Sequence, residues 1–424
     1  MTPKQHQTEL RVIVAGGGLG GLALAAGLRT RGINVSVFER DTDLAQTGGY
    51  HIHLDEAATG ALRDLLDPEP FEEVLASSAT TRLQGGDIMR DMRGRLLYRS
   101  AAADDDGGVN IDRITLRLIL ADAVGDALHQ GATVQDFARN DDGTNTVTLA
   151  DGSTHDCDLL VGAEGVHSQI ARSLAGRPTS KPTGLLGICG RTTVADLPGT
   201  AQRLFGQDSG LAIGPDGTGL YIGYHDPANQ AAVRSPARAR SVTLEPIYIW
   251  GAVLSESAAT ERLRPLTGSA LRDATAALLQ DAGWTSPMLD VIAESETDGI
   301  APFRFHAGPP YANQLAPWPA GTVTALGDAV HAMPPTAGMG AATAIRDAAD
   351  LATRLEAARD QQATIPAAVH RFEHGMRIRG AAAITASLGP VRMIHASATP
   401  IGRVAARLGL PIGAALARLR QRTR

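Results

Sequence analysis

Three glycines in the pattern Gly16-x-Gly18-x-x-Gly21 follow the apolar run Leu10–Ala15 and open an alanine- and leucine-rich stretch that reads as a helix to about Thr30. Gly16 permits a tight turn, Gly18 lets a pyrophosphate approach the backbone, and Gly21 allows close helix–strand packing. The unpaired N–H groups at such a helix start carry partial positive charge suited to phosphate. Gly32 is placed to cap the helix end. Asn34–Phe38 alternates as a β-branched strand and ends at Glu39, eighteen residues after Gly21, where an acid can accept bonds from an adenosine ribose. Strand, glycine turn, helix, strand and acid in register point to a dinucleotide, without separating FAD from NAD.

Two later segments make that separation. The first runs Asp158-Leu-Leu-Val-Gly162-Ala-Glu164-Gly165-Val-His-Ser168 and is followed by Arg172. The second runs Gly327-Asp328-Ala329-Val-His331-Ala-Met-Pro334-Pro335-Thr-Ala-Gly338-Met339-Gly340 and is followed by Asp347-Ala348. In order and spacing they resemble the second and third fingerprints of the class A flavoprotein monooxygenases, the para-hydroxybenzoate hydroxylase type. The resemblance implies an α/β fold: a Rossmann-type FAD-binding domain with an inserted strand-rich substrate domain and a helical C-terminal segment. It implies non-covalent FAD, with Asp328 holding a ribityl hydroxyl and Arg113 beside the cofactor at a helix start. Gly338 and Gly340 would precede a helix whose amino end faces the flavin pyrimidine ring, where backbone donors suit negative charge. Leu19, Gly20, Arg40 and Glu164, together with Pro335, Met339 and Ala341, complete the implied contact set.

The same resemblance sets Gly48–Leu54 along the isoalloxazine. His51 and His53 are two apart, so in a strand they share one face. Either imidazole could bind substrate or relay a proton; plain structural hydrogen bonding is the alternative, and no further ligand lies at metal-binding spacing. Tyr221, Tyr224, His225, Tyr248 and Trp250 stand out in a chain with 4% aromatics. Tyr221 and His225 alternate onto one strand face and Tyr224 onto the other, with core packing as the competing use. The candidate catalytic residues are His51, His53, Tyr224 and His225.

The family reaction would be hydroxylation of an aromatic or polyketide-like small molecule with NADPH or NADH and O2, through a flavin C4a-hydroperoxide. Glu164 stands where the family commonly has aspartate, Met339 where glutamine is frequent, and Ala342 where asparagine is common. These departures keep a second reading open, a non-redox cyclase that retains FAD.

The elements that must position these residues follow from texture. Helical patterns cover Glu56–Leu66 and Thr115–Leu128, the latter with an apolar stripe of Leu116, Ile119 and Leu120. Thr146–Leu149, the Asp151-Gly152 turn and Cys157–Val161 read as a hairpin. Short strands fill Leu185 to Leu254, with a turn at Pro215-Asp216-Gly217. Val323–Leu326 is a strand and Thr343–Leu355 a helix. The rest is mostly helical, interrupted at Pro366, Pro390, Pro400 and Pro411. The expected FAD-binding domain is 1–80, 101–180 and 301–359; the substrate domain is 81–100 and 181–300; the helical segment is 360–424. The arginines of the final turns read as a solvated helix end, with contact to a membrane surface as the alternative.

Composition narrows the classes. Of 424 residues, 39 are basic and 45 acidic, a net charge of −6 with no general footprint for nucleic acid. Cys157 and Cys189 cannot build a disulfide framework or a cysteine-rich metal site. The only lysines, Lys4 and Lys181, fit neither a phosphate-loop motif nor a buried Schiff base. No apolar run reaches the ~18 residues of a membrane span, and MTPKQHQTEL lacks a signal-peptide core. The expectation is a soluble cytoplasmic enzyme acting on a small molecule.

Overall fold

The structure is a computed structural model that describes residues 10–45, 51–80, 88–99, 108–226, 240 and 242–408; of His51 and Thr80 only the backbone is described. Tyr50 and the arginines from Arg418 onward lie outside the described residues.

Arg11–Ala15 is the middle strand of a five-stranded parallel sheet, ordered Val323–Ala325, Leu159–Gly162, Arg11–Ala15, Asn34–Glu39, Leu128–Gln130. Its side chains are buried on both faces, which is why it reads as a continuous apolar run. Val12 and Val14 join the core of helices Leu19–Thr30, Glu56–Leu65 and Gly340–Arg359. Ile13 and Ala15 pack on the other side against an antiparallel sheet of Val134–Arg139, Asn145–Leu149 and Thr154–Cys157. The first helix ends at Arg31, and Gly32 takes the left-handed conformation that follows, φ +65°.

A three-stranded sheet carries His51–Leu54 against Val109–Asp112, with Ser78–Thr80 on its other side. The largest sheet has seven strands, ordered Ala301–Ala307, Lys181–Thr193, Ile247–Ser255, Thr218–His225, Gly210–Ile213, Ile88–Asp91, Leu96–Arg99. One face packs Leu186, Ile188, Leu220, Ile222, Tyr248 and Trp250 against helices Gly199–Phe205, Gly268–Asp281 and Ser286–Ala293. Near one end of the other face, Leu185, Val253 and Phe305 meet Val391 and Ile394 of the long helix Ile365–Ser397.

Five sequence expectations change. In the hairpin expected from Thr146–Leu149 and Cys157–Val161 the returning strand is Thr154–Cys157, and Leu159–Gly162 instead joins the parallel sheet beside Arg11–Ala15. The middle region is not short strands alone up to Leu254, because helix Gly199–Phe205 lies among them, and beyond it Ala258–Ala293 supplies helices that cover the large sheet. Its first strand is a single 13-residue element, Lys181–Thr193, whose pairing slips between Pro182 and Leu186 around Gly184 at φ +78°. The helix expected to reach Leu128 stops at Val124, because Gly125 turns the chain at φ +61° and Leu128 enters the parallel sheet. Pro390 does not interrupt the last long helix. One turn before it, the Ser387 carbonyl is taken by the Thr336 hydroxyl at 2.5 Å, and Val391 and Ile394 are buried beyond it. Pro366 and Pro400 sit at helix starts, where no N–H is needed. Among the described residues, no helix is long and apolar enough to cross a membrane.

Candidate functional site

The glycines of the first turn separate by what surrounds them. Gly16 has φ +105° and donates its N–H to the Phe38 carbonyl at 2.8 Å; a Cβ there would lie 2.5 Å from the Ala163 carbonyl oxygen. A Cβ on Gly21 would run into the Gly16 carbonyl, and one on Gly20 would lie 2.9 Å from Leu326 Cδ1. A Cβ on Gly18 would meet nothing within 4 Å. Gly18 is the N-cap of Leu19–Thr30, makes no side-chain cap, and no acid occupies the helix's first turn. Open space over bare helix N–H groups is the cradle that a pyrophosphate requires, so these residues fit a dinucleotide.

Glu39 is 5% exposed at the end of its strand. Its Oε2 accepts the Gly17 N–H at 2.5 Å and its Oε1 the Asp41 N–H at 2.8 Å. Arg117 Nη2 lies 3.4 Å from the same Oε2. Arg117 Nε also donates to the Gly17 carbonyl at 2.9 Å, and Nη1 to Asp41 Oδ2 at 3.0 Å and the Leu44 carbonyl at 3.2 Å. One buried guanidinium thus fixes the glycine turn, the acid and the loop after it. The sequence reading missed Arg117; its charge within the stripe of Leu116, Ile119 and Leu120 was the available signal. Arg40 points to the surface, 3.8 Å from Asp41, and is not gathered into this cluster.

The second half of the site follows strand Val323–Ala325. Gly327, at φ +62°, turns the chain into the short helix Asp328–His331. The Asp328 side chain is open to solvent yet sits in a crevice crowded by protein. That crowding pushes its pKa up, while the charges of His331 and Arg113 pull the other way. Arg113 begins the helix Arg113–Val124, whose N-cap Asp112 accepts the Thr115 N–H at 2.9 Å. A Cβ on Gly340 would lie 3.9 Å from Asp328 Oδ1, so the two ends of the third fingerprint meet. Gly338 is left-handed at φ +65°; Met339 is the N-cap and Gly340 and Ala341 the first residues of Gly340–Arg359, again with no acid in the first turn. Pro335, in the preceding turn, is exposed.

Behind Asp328 lies a buried ion network. His331 Nε2 and Asp347 Oδ2 are 2.5 Å apart with neither side chain exposed, and Arg379 reaches Asp347 Oδ1 at 3.0 Å and Asp350 Oδ2 at 3.1 Å. Burial alone would lower the His331 pKa, but the charge and hydrogen bond of Asp347, with Asp328 adding, raise it.

Glu164 faces its own helix. Its Oε2 accepts the Ser168 hydroxyl at 2.5 Å and its Oε1 the N–H groups of Gln169 and Ile170 at 3.1 and 3.2 Å. Burial pushes its pKa up against those bonds. Both oxygens serve the start of Gln169–Ala175.

The four candidate catalytic residues are spread over two sheets. His53 Nδ1 lies 3.1 Å from Oδ1 of Asn110, its cross-strand neighbour, which is 1% exposed. The His51 side chain lies outside the described residues. Tyr224 is packed on the helix-covered face of the large sheet beside Tyr248, ring centroids 5.6 Å apart, and donates to Asp226 at 3.2 Å. His225 lies on the opposite face, 2% exposed, where burial lowers its pKa. On that opposite face Tyr221, 39% exposed, pairs across the strands with Gly251, where a Cβ would meet nothing within 4 Å. Tyr248 and Trp250 belong to the helix-covered core.

A parallel sheet with an open glycine turn, a buried acid at the next strand end and an aspartate just beyond an edge strand of the same sheet define a dinucleotide-binding flavoprotein fold. Residues 9–203 and 288–376 match the family model described as FAD binding domain. The chain belongs to that family, among the class A FAD-dependent monooxygenases. It is 30% identical to aurachin C monooxygenase/isomerase of Stigmatella aurantiaca over 378 residues, covering 87% of this chain and 85% of that protein. It is 29% identical to chloroplastic zeaxanthin epoxidase of Solanum lycopersicum over 372 residues, 84% of this chain but 49% of that protein. The chain therefore spans about half the length of the zeaxanthin epoxidases it matches. The fold is similar to Klebsiella pneumoniae HpxO complexed with FAD and uric acid: TM-score 0.69, 20% identity, 92% of this chain and 90% of that one.

Proposed function

We propose that the protein is an FAD-dependent monooxygenase that hydroxylates an aromatic or polyketide-like small molecule with NADPH or NADH and O2. The observation that carries the cofactor half is the open cradle at Gly18, set beside the Asp328–Gly340 corner. In this reading the Gly16–Gly21 turn takes the pyrophosphate and Glu39 the adenosine ribose. Asp328 and Arg113 hold the ribityl side, and the amino end of Gly340–Arg359 offers N–H groups to negative charge on the pyrimidine ring. The chemistry FAD supplies when bound is uptake of hydride from the nicotinamide and activation of dioxygen. The chain's own residues bind, orient and keep water out.

The substrate half rests on the face of the large sheet that carries the part-exposed Tyr221 and the open position at Gly251. Such a surface suits a flat or extended apolar molecule. His53, oriented by Asn110, is the candidate for substrate hydrogen bonding or proton relay. The cyclase reading is not favoured, because the extra methylene of Glu164 is absorbed into the cap of its own helix.

The test is anaerobic reduction with NADPH or NADH, following the oxidised-flavin band, and then aerobic turnover with product mass. Bleaching and a gain of one oxygen are expected. A flavin that stays oxidised with either nicotinamide and every candidate phenol, while a new ring forms at unchanged mass, would reverse the choice.

A further inference from the structure

The last described helix, Pro400–Leu408, is built inside out. Its small residues Gly402 and Ala406 face the protein, while Ile401, Val404 and Leu408 are 85%, 57% and 63% exposed. At 100° per residue those three, with Ala405, form one stripe roughly opposite Gly402 and Ala406, the reverse of an ordinary surface helix. The orientation is fixed by several contacts. A Cβ on Gly402 would run into the Ala396 carbonyl, so the helix can pack this closely on the end of Ile365–Ser397 only through a glycine. Arg403 pairs with Asp216 in the turn between two strands of the large sheet, and Arg407 Nη2 lies 3.8 Å from the same carboxylate. From the turn before the edge strand Leu96–Arg99, Arg93 donates to the Arg407 carbonyl at 3.0 Å. That edge strand itself exposes Leu96 and Tyr98, 50% and 51%.

Charge identifies what the stripe fits. Residues 399–424 contain six arginines and no acid, in a chain whose net charge is −6; Arg403 and Arg407 face Asp216, and the other four follow the helix in the sequence. We propose that the apolar face of Pro400–Leu408, with the four arginines that follow it in the sequence, docks the protein on an anionic lipid surface. Apolar side chains enter the headgroup–acyl boundary while guanidinium groups meet lipid phosphates, the pairing that makes a basic amphipathic helix interfacial. A second copy of the chain is the weaker fit. Three side chains on a nine-residue helix fall far short of the ~800 Å² per partner of a stable protein interface. A lipid surface needs no matching relief. Its placement beside the edge of the large sheet sets the membrane near the proposed substrate-binding sheet, but docking does not depend on that assignment.

The experiment is flotation of the FAD-loaded full chain with vesicles of phosphatidylcholine alone or of phosphatidylcholine mixed with phosphatidylglycerol. Flotation is expected with the mixed vesicles, weak with neutral ones, and reduced by added salt. The triple variant Ile401→Ser, Val404→Ser, Leu408→Ser should lose at least ~10-fold in partitioning, with flavin absorbance and elution volume unchanged. Replacing Arg418, Arg420, Arg422 and Arg424 by Gln should weaken binding to the anionic vesicles alone, by roughly fivefold per arginine at most. Failure to float with either vesicle would overturn the proposal, as would equal flotation of the triple variant. So would a wild-type dimer that the triple variant splits, which would give the stripe to a second copy.

Discussion

A methyl group at Gly21 would run into the Gly16 carbonyl, whereas one at Gly18 would meet no protein atom within 4 Å. The two positions should therefore fail in different measurements. Gly21→Ala is expected to lower the stability of the cofactor-free protein by about 1–3 kcal/mol in urea unfolding, as overpacking does. Gly18→Ala should leave that midpoint in place and weaken FAD binding instead. An equal loss of unliganded stability in both variants would remove Gly18 from the ligand cradle. Asp328→Ala should cost on the order of 1.5–3 kcal/mol of FAD affinity, the worth of a hydrogen bond to a charged group, read by quenching of flavin fluorescence. Unchanged affinity would deny Asp328 its ribityl contact. These residues were legible because each motif is local in the chain. Their supports were not: Arg117 reaches back 100 residues to Gly17, and Asn110 reaches 57 to His53. Nothing in a local pattern shows such a pairing. Period two separated Tyr224 from His225, but not which face the helices would cover.

At the scale of elements, the parallel sheet and its first helix were legible because the apolar run, the glycines and Glu39 agree. The helices over the large sheet were missed although Leu271, Thr275 and Leu279 of Gly268–Asp281 repeat every four residues; the strand texture upstream outweighed them. Pro390 misled because a rule for isolated helices yields to burial of Val391 and Ile394. Arg117 ties three elements together, so Arg117→Met should cost about 3–5 kcal/mol by stranding the buried Glu39 carboxylate. A cost below 1 kcal/mol in unfolding would mean that the Gly17 and Asp41 amides suffice for it. The His331–Asp347 pair joins the short helix Asp328–His331 to helix Gly340–Arg359 and has a pH signature. A pKa raised above the ordinary 6.5 means the folded protein holds the proton more tightly than the unfolded chain. The contribution is then complete below pH 6.5 and fades as pH rises through the folded value. The stability lost in His331→Gln should shrink as unfolding is repeated at rising pH; a pH-independent difference would mean the imidazole is neutral.

At the scale of the whole molecule, the 33-residue helix Ile365–Ser397 is the spine. Val369, Phe372, Met376 and Ile384 lie in the core of the parallel sheet, and Val391 and Ile394 lie against the large sheet. A rigid element shared by two cores couples their unfolding, so ligand bound at one should stabilise both. The tryptophans are placed to measure this. Trp318 belongs to the core under the cofactor site, with its Nε1 2.9 Å from Glu373 Oε1 on the same helix; Trp250 and Trp284 belong to the core of the large sheet. Trp318→Phe leaves reporters only in the large sheet, and the double variant Trp250→Phe, Trp284→Phe leaves one only beneath the site. With FAD at a hundredfold excess over its Kd, each should gain about 2.7 kcal/mol, with coincident urea midpoints before and after addition. A shift confined to the Trp318 reporter would show that the helix does not transmit binding energy, and that the large sheet unfolds as a separate unit.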